Sequence, residues 1–341
     1  MSIFTQIREK LAKETKTIVL PDGPDPRILE ASEKLSKEGL LKVLLIGDPK
    51  QFAKNAKEGG FDISGCEIID PNNYEDMEAM VQEMVALRKG KMTEDQVREC
   101  LKAGNYFGTM LVKMGKADCL LGGATYSTAD TVRPALQLIK TKPGSHLVSS
   151  VMILTRGEDD AERLAFGDCA INIDYKDTVD KKTGEVTLTA AQKLGEVAVE
   201  TARTAKKFGI DPKVALLSFS TNGSGKGGTV KLSHDAVAEA RKLGPEFDID
   251  GEMQFDAAVS PVVAKTKFKD SKVAGHANTF IFPLIEAANI SYKVAQRLGG
   301  YAAYGPILQG LNAPINDLSR GCNADEVYGM SLITAAMAIE D

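Results

Sequence analysis

The chain alternates short apolar segments with longer amphipathic segments over most of its length. Residues 17–20 and 42–47 are rich in leucine and β-branched residues, which is typical of buried strands. In residues 28–37 and 73–89 the apolar positions lie three and four residues apart, which predicts helices. A repeated strand–loop–helix pattern predicts a mostly parallel sheet with helices on both faces.

The same pattern extends to both ends of the sequence. Ile3, Phe4, Ile7 and Leu11 predict a short amphipathic helix, and Thr93 with Gln96 predicts a capping box. Residues 175–189 are polar and predict an exposed loop or a β-hairpin. Further strands are predicted at 118–121, 150–154, 163–166 and 214–219, and further helices at 190–208, 233–243 and 324–339.

Charge and composition argue against several classes of binding partner and site. The 341 residues carry a net charge of −5, so no global basic field favours nucleic acid or an anionic membrane. No segment approaches the ~20 apolar residues of a membrane-spanning helix. The five cysteines contain no CxxC pair and the three histidines form no HExxH motif. We therefore expect no disulfide framework and no protein-bound metal, and a cytoplasmic location.

A glycine-rich segment at 223–228 follows a predicted strand and matches the G-x-G-x-x-G spacing of dinucleotide-binding loops. Asp248 lies about 20 residues further on, as that motif requires. Two observations argue against nicotinamide binding. Residues 247–251 are too polar for a buried parallel strand, and the helical pattern begins near Ser233 rather than at the last glycine. The simpler interpretation is a flexible loop carrying Lys226.

A second glycine-containing segment, residues 122–133, fits an anion site better. A predicted strand ends at two glycines, and Ser127 or Thr128 can cap the helix that follows. Backbone N–H groups at a helix start attract phosphate-like groups, and Arg133 could add a bidentate contact. An ordinary helix cap with a surface arginine fits the same residues equally well.

The most informative stretch is residues 314–326, PINDLSRGCNADE. Asn323 and Glu326 have the spacing of a capping box at the start of the last helix. Just upstream, Ser319 supplies a hydroxyl and Arg320 a guanidinium, whose planar fork suits a tetrahedral phosphate. A capped helix with a solvated acidic first turn is the structural alternative.

Residues 314–322 resemble the signature of the phosphate acetyltransferases, within the phosphate acetyl/butyryltransferase family. The resemblance extends over nearly the full length and matches the short form of the family. It is carried by five further blocks, in order: residues 126–135, 166–172, 217–221, 250–258 and 287–293.

The resemblance implies two α/β/α lobes with mostly parallel sheets, similar to the isocitrate and isopropylmalate dehydrogenase fold, with the active site in the cleft between them. The first lobe would comprise residues 1–147 and 306–341, and the second residues 148–305. The resemblance also implies a homodimer, with no redox cofactor. Coenzyme A and phosphate would be substrates, and the acetyl group would pass reversibly between them.

Site residues follow from the same resemblance. Arg320 would bind the acyl-phosphate oxygens, Ser319 would hydrogen-bond the acetyl carbonyl, and a carboxylate would deprotonate the coenzyme A thiol. The family places that base four residues after the signature cysteine, where Asp is usual and this sequence has Glu326. Asp325 is the alternative base. Substrate-binding roles fall to Arg88, Arg133, Ser127 and Thr128.

Three alternatives remain open at this point. A phosphate butyryltransferase would use the same chemistry with a larger acyl pocket. A non-catalytic homologue would bind coenzyme A or an acyl phosphate without turnover. A ping-pong route would acylate Ser319 or Cys322, although neither has a histidine nearby in the sequence to activate it.

Overall fold

A computed structural model describes residues 1–339, which form two compact units. Among the described residues, the terminal unit comprises residues 4–144 and 311–339, so it combines the two ends of the chain. The central unit comprises residues 145–310 together with residues 1–3.

The strands, numbered in chain order, are short, and six of those described lie at positions predicted for strands. They are β1 Lys16–Leu20, β2 Leu41–Ile46, β3 Glu67–Ile69, β4 Cys119–Gly122, β5 Ser149–Arg156, β6 Glu162–Gly167, β7 Thr178–Val179, β8 Val186–Leu188, β9 Lys213–Leu217, β10 Asp248–Met253, β11 Thr279–Ile281, β12 Ala302–Gln309 and β13 Ile315–Asp317.

Most of the helices follow the predicted helical segments, whereas those at 49–59, 104–113, 255–267 and 285–297 were not predicted. They are α1 Ile3–Lys13, α2 Pro26–Glu38, α3 Pro49–Gly59, α4 Met77–Arg88, α5 Glu94–Leu101, α6 Gly104–Lys113, α7 Thr128–Pro134, α8 Ala190–Lys207, α9 Val230–Lys242, α10 Phe255–Val259, α11 Pro261–Lys267, α12 Ile285–Arg297 and α13 Ala324–Met337. The capping boxes predicted at Thr93 and Asn323 are both present.

The terminal unit contains a five-stranded sheet in which every pairing is parallel, in the order β13-β4-β1-β2-β3. From β1 the chain builds outward to β2 and β3, then returns to place β4 on the other side of β1. The strand order therefore reverses between β1 and β4. Loops leaving two such strands diverge and open a crevice at the carboxyl edge of the sheet.

Local sequence explains how the first helices of this unit start and stop. Asp25 and Asp48 act as N-caps, and each is followed by a proline at the first helical position, where no N–H is needed. Gly39 and Gly60 end the same helices in the left-handed conformation. These signals fix where α2 and α3 leave the sheet edge.

The last helix, α13, packs against α2 and β4, so both ends of the sequence share one core. The buried Asn316 side chain of β13 donates a 2.9 Å hydrogen bond to Thr334 of α13. Tyr328 bonds the carboxylate of Glu38 at the end of α2. The C-terminal segment is thereby fixed against the sheet that β13 extends.

The central unit contains a six-stranded mixed sheet in the order β10-β9-β11-β6-β5-β12. The pairings from β10 to β6 are parallel, and those of β5 with β6 and β12 are antiparallel. Apolar clusters lie on both of its faces, one including Phe166 and Phe280 and the other including Val197 and Ile281. The mixed α/β class with mostly parallel sheets is confirmed.

Two details of the sequence interpretation are wrong, and both concern the glycine-rich loop. Residues 248–253 do form a parallel strand, β10. Its polar residues are tolerated because β10 lies at the sheet edge, where Asp248 and Asp250 are only partly buried. Helix α9 begins at Val230, two residues after Gly228 and earlier than the predicted Ser233.

The polar segment after Tyr175 forms the expected hairpin, in which β7 and β8 pair antiparallel. Within the described residues no helix is long and apolar enough to cross a membrane.

Candidate active site in the terminal unit

All of the site residues predicted from the sequence belong to the terminal unit. The loops that leave β1, β4 and β13 meet at the reversal of strand order, because these three strands are neighbours in the sheet. Ser127 and Thr128 follow β4, and Ser319 and Arg320 follow β13. The topology therefore gathers these two predicted segments at one edge.

Asp22, directly after β1, holds the loop that follows β4. Its carboxylate accepts hydrogen bonds from the N–H groups of Gly123 at 3.1 Å and Thr125 at 2.6 Å, and from the Thr125 hydroxyl at 2.8 Å. Burial raises the pKa of Asp22, although these hydrogen bonds oppose the rise. The N–H groups that the sequence offered for an anion are thus partly used by the protein itself.

Asp317, at the end of β13, is the buried carboxylate on the other side of β4. Thr128 donates a 2.7 Å hydrogen bond to Oδ2, whereas Oδ1 has no hydrogen-bond partner among the described residues. Burial, opposed by hydrogen bonds from Thr128 and Thr131, raises its pKa to about 6.

Gly123 is required where these groups converge. Its φ is +116°, and a Cβ there would lie 2.4 Å from Asp317 Oδ1 and 2.6 Å from the carbonyl oxygen of Leu318. Only glycine lets the β4 loop pass this close to the β13 loop.

Ser319 and Arg320 are exposed in the loop between β13 and α13. Ser319 Oγ accepts a 3.2 Å hydrogen bond from the Gly321 N–H. The Arg320 guanidinium makes no hydrogen bond or ion pair within residues 1–339, and all of its donors are available to an anion. A hydroxyl and an unpaired guanidinium therefore stand side by side.

Arg27, in the first turn of α2, contacts the loops at this edge and was not singled out by the sequence analysis. Its guanidinium donates to the carbonyl oxygens of Arg320 at 2.7 Å, Cys322 at 3.1 Å and Ala124 at 2.9 Å. It also forms a bidentate pair with Asp25, with both N–O distances 2.9 Å. The aspartates and arginine that follow β1, in the loop and at the helix start, were the available signal.

Glu326 and Asp325 differ in their partners. Glu326 Oε2 accepts a 3.0 Å hydrogen bond from the Asn323 N–H, and its Oε1 accepts none from the described residues. Asp325 lies on another face of the helix start, where it forms a 2.8 Å ion pair with Lys34 of α2. Glu326 is close enough to Cys322 to raise the pKa of that thiol, although burial is the larger cause.

The hydroxyls of Ser127 and Thr128 are engaged within the protein. Ser127 caps α7, accepting from the Asp130 N–H at 3.2 Å and donating to the Asp130 carboxylate at 2.6 Å. Thr128 donates to Asp317, as described above. Both residues shape the loop, and neither hydroxyl proton is directed to a ligand.

Arg133 and Arg88 both approach Tyr106 of α6. Burial raises the pKa of Tyr106, and the positive charges of Arg133 and Arg88 each act to lower it. Arg133 is half exposed and forms a 3.4 Å pair with Asp130. Arg88 is partly buried, and its Nε has no hydrogen-bond partner among the described residues.

The remaining surroundings include a cavity. A cavity of about 240 Å³ opens beside the ends of β1 and β2, lined by residues that include Asp22, Asp48, Lys102 and Tyr126. Within residues 1–339 no group of three or more His, Cys, Asp or Glu residues could hold a metal ion.

Comparison with known proteins identifies the family. Residues 2–335 match the family model described as phosphate acetyl/butaryl transferase. The chain is 51% identical to the phosphate acetyltransferase of Bacillus subtilis, with 99% of each chain covered. A solved phosphotransacetylase from Streptococcus pyogenes is 49% identical, with a TM-score of 0.92 and 99% and 98% of the two chains covered.

A more distant solved structure, a proposed 4-hydroxythreonine-4-phosphate dehydrogenase from Salmonella typhimurium, is 15% identical. It shares the fold, with a TM-score of 0.51 over 95% of this chain and 99% of that one. The chain therefore belongs to the phosphate acetyl/butyryltransferase family of acyltransferases.

Proposed function

We propose that the protein transfers an acetyl group reversibly between coenzyme A and inorganic phosphate, at the loop edge of the terminal unit. The observation that carries the proposal is the Arg320 guanidinium, which is exposed and unpaired although the backbone of its loop is firmly held. An unpaired guanidinium next to a hydroxyl suits the dianionic phosphate of an acyl phosphate. The names of the relatives, phosphate acetyltransferase and phosphotransacetylase, agree with this chemistry.

In the proposed reaction the coenzyme A thiolate attacks the carbonyl carbon of acetyl phosphate. A carbon–sulfur bond forms, the carbon–oxygen bond to phosphate breaks, and phosphate leaves with the bonding electron pair. Arg320 binds the phosphate oxygens and stabilises their increasing charge, while the Ser319 hydroxyl donates to the carbonyl oxygen as it becomes negative. Holding both substrates together supplies much of the remaining rate enhancement.

The thiol proton goes to a carboxylate, for which we propose Glu326. Its Oε1 is unoccupied, and it lies at the end of the Ser319–Cys322 loop. Asp325 is less suited, because its ion pair with Lys34 directs it towards α2. Glu326→Gln should therefore lower kcat by about 10²-fold or more, the usual contribution of a general base. Asp325→Asn is the matched control and should stay close to wild type; the reverse result would move the base to Asp325.

The direct route is favoured over an acylated Cys322. The thiol is buried, and burial raises its pKa, so little thiolate is present at neutral pH. A ping-pong enzyme would exchange labelled phosphate into acetyl phosphate without coenzyme A. We expect no such exchange, and a measurable exchange would establish a covalent intermediate.

The test of the function is an assay of the purified protein with acetyl phosphate and coenzyme A, following thioester formation. Acetyl-, propionyl- and butyryl-coenzyme A are then compared in the reverse direction with phosphate. We expect the highest kcat/KM with the acetyl group. A clear preference for butyryl would assign the chain to the butyryl branch, and no turnover with any of them would overturn the proposal.

We also infer that the protein assembles as a homodimer through α12. Ile290, Val294 and Leu298 lie four residues apart and are 61%, 50% and 84% exposed, so one face of α12 presents an apolar stripe to solvent. Lys293 and Arg297 provide charged neighbours. Contiguous exposed apolar surface of this kind is characteristic of subunit contacts.

Sedimentation velocity tests this inference. The wild-type protein should sediment as a dimer, and Val294→Glu should shift it towards the monomer. Val179→Glu is the matched control, because Val179 is equally exposed at 48% but lies on the β7–β8 hairpin. A monomeric wild type, or dissociation only of the control, would contradict the α12 interface.

A cytoplasmic location completes the proposal. All five cysteines are free thiols, three of them buried, which suits a reducing compartment. Cell fractionation with an enzyme assay would test it.

A further inference from the structure

The contacts of Arg27 differ in kind from those of the other arginines at this edge. A guanidinium has five N–H donors. In Arg27 the Nε donates to Asp25 Oδ1, the two Nη1 protons to the carbonyl oxygens of Arg320 and Cys322, and the two Nη2 protons to Asp25 Oδ2 and the Ala124 carbonyl. All five donors are used, and none is left for a substrate.

These five acceptors come from three separate loops. Asp25 belongs to the loop after β1, Ala124 to the loop after β4, and Arg320 and Cys322 to the loop after β13. The Arg27 side chain is 28% exposed and that of Asp25 17%, so water competes only partly for these bonds. Although burial alone would raise the pKa of Asp25, the hydrogen bonds and charge of Arg27 hold it below its usual value.

We propose that Arg27, fixed by Asp25, is a positioning residue that sets the backbone of the Arg320–Cys322 loop and thereby aims the Arg320 guanidinium. The proposal rests on the role given to Arg320 under the proposed function. Arg27 itself touches no substrate, because its donors are exhausted by the protein.

The geometry explains why arginine is needed. A planar fork can hold a carboxylate on one side and carbonyl oxygens on the other, in fixed directions. Lysine at position 27 would keep the charge but has only three donors on one nitrogen, so at least two of the five acceptors would lose their partner. Charge alone therefore does not replace the function.

The experiment is a double-mutant cycle of Arg27→Lys and Arg320→Ala, with kcat and KM measured for both substrates. Arg27→Lys should lower kcat/KM for acetyl phosphate by about 10²-fold, as expected for a misplaced catalytic group. The KM for coenzyme A should change little, because Arg88 and Arg133 lie on other elements. In the Arg320→Ala background, Arg27→Lys should have almost no further effect, because the group that it positions is gone.

Arg98→Lys is the matched control, since Arg98 pairs only with Glu78 and Glu94 on exposed helix surface, and it should retain wild-type kinetics. If Arg27→Lys does not fold, Asp25→Asn replaces it, because Asn is an equally good N-cap but lacks the charge of the pair. Equal losses from Arg27→Lys in both backgrounds would overturn the positioning role while leaving Arg320 intact. Wild-type activity of Arg320→Ala alone would instead reject the proposed function.

Discussion

The two units each carry a glycine-containing loop at the end of a parallel strand, residues 122–127 in the terminal unit and residues 218–229 in the central unit. Both loops lie beside a buried carboxylate that takes their N–H groups. In the central unit Glu252 accepts 2.8 Å hydrogen bonds from the Gly223 N–H and the Ser220 hydroxyl, and contacts His234 at 3.2 Å. In the terminal unit Asp22 holds Gly123 and Thr125 in the same way.

The two loops differ in the positively charged side chains that lie beside them. The terminal loop adjoins a second loop that carries the unpaired Arg320, and Arg27 fixes the two together. Beside the central loop, a cavity of about 380 Å³ is lined by Lys226, whose flexible side chain has no such support. Glycine spacing alone therefore does not make an anion site, because in both loops backbone N–H groups are already bonded within the protein. An oriented guanidinium is the more informative sign.

The largest expected effect comes from removing the guanidinium of Arg320 in the terminal unit. Arg320→Ala should lower kcat/KM by about 10²–10³-fold, the usual cost of losing one transition-state charge contact. Steady-state kinetics would measure the loss, and unfolding curves should match wild type because the side chain is exposed and unpaired. Unchanged turnover would show that the Arg320 guanidinium does not distinguish the terminal loop from the central loop.

Alanine substitutions at Gly123 and Gly223 should lower the free energy of unfolding by different amounts. Gly123→Ala places a Cβ within 2.4–2.7 Å of Asp317 and Leu318 at a φ of +116°, so it should destabilise the fold by about 3 kcal/mol or more. Gly223→Ala also has a positive φ, +80°, but no atom lies within 4 Å of its Cβ, so about 1 kcal/mol is expected. Denaturant unfolding measures both, and equal losses would contradict the close approach at Gly123.

Two buried carboxylates, Asp317 in the terminal unit and Glu252 in the central unit, should contribute to stability with opposite pH dependence. The pKa of Asp317 is raised to about 6, so its contribution to stability is present below about pH 4 and is lost as pH rises through 6. Against Asp317→Asn, the wild type should lose on the order of 2–3 kcal/mol over that interval.

For Glu252 the balance is reversed. Burial alone would raise its pKa, but the hydrogen bonds from Gly223, Ser220 and His234 hold it below the usual value. Its stabilising contribution is therefore present at neutral pH and lost as pH falls into the acid range. Unfolding curves of Glu252→Gln and the wild type at several pH values check the sign; a difference that grows on acidification would show it to be wrong.

The smallest effect is expected at the central loop. Lys226→Ala should leave kcat/KM for acetyl phosphate near wild type, and added NADH should not raise the thermal midpoint, because the N–H groups of Gly223 and Gly225 are already bonded within the protein. A clear rise with NADH would restore the dinucleotide interpretation of the glycine motif.

Sequence patterning was sufficient for the α/β class and most elements, because amphipathic helices and apolar strands dominate the chain. It failed at β10, since an edge strand needs only one buried face and so lacks the continuous apolar run of a central one. The local capping signals at Thr93, Asn323 and Ser127 were readable because their partners lie within three residues.

The site was only partly predictable, because its contacts join residues that lie far apart along the chain. Ser319 and Arg320 were recognised through resemblance, since spacing alone equally supported a helix cap. Asp317 was visible in the same stretch, but its burial depends on packing against β4. Arg27 could not be assigned at all, because its acceptors are backbone carbonyls in loops far along the chain.

The placement of β13 has a consequence for synthesis on the ribosome. Arg27 and the carbonyl that it holds at position 320 are 293 residues apart. At about 5–20 residues per second, β4 waits roughly 10–40 s for β13, which is synthesised about 190 residues later. During that interval β4 is an unpaired sheet edge, the kind of surface that recruits foreign strands. A chain that ends before β13 would thus expose the unpaired edge of β4 and would be prone to aggregate. The central unit of the same chain would already have all of its own strands.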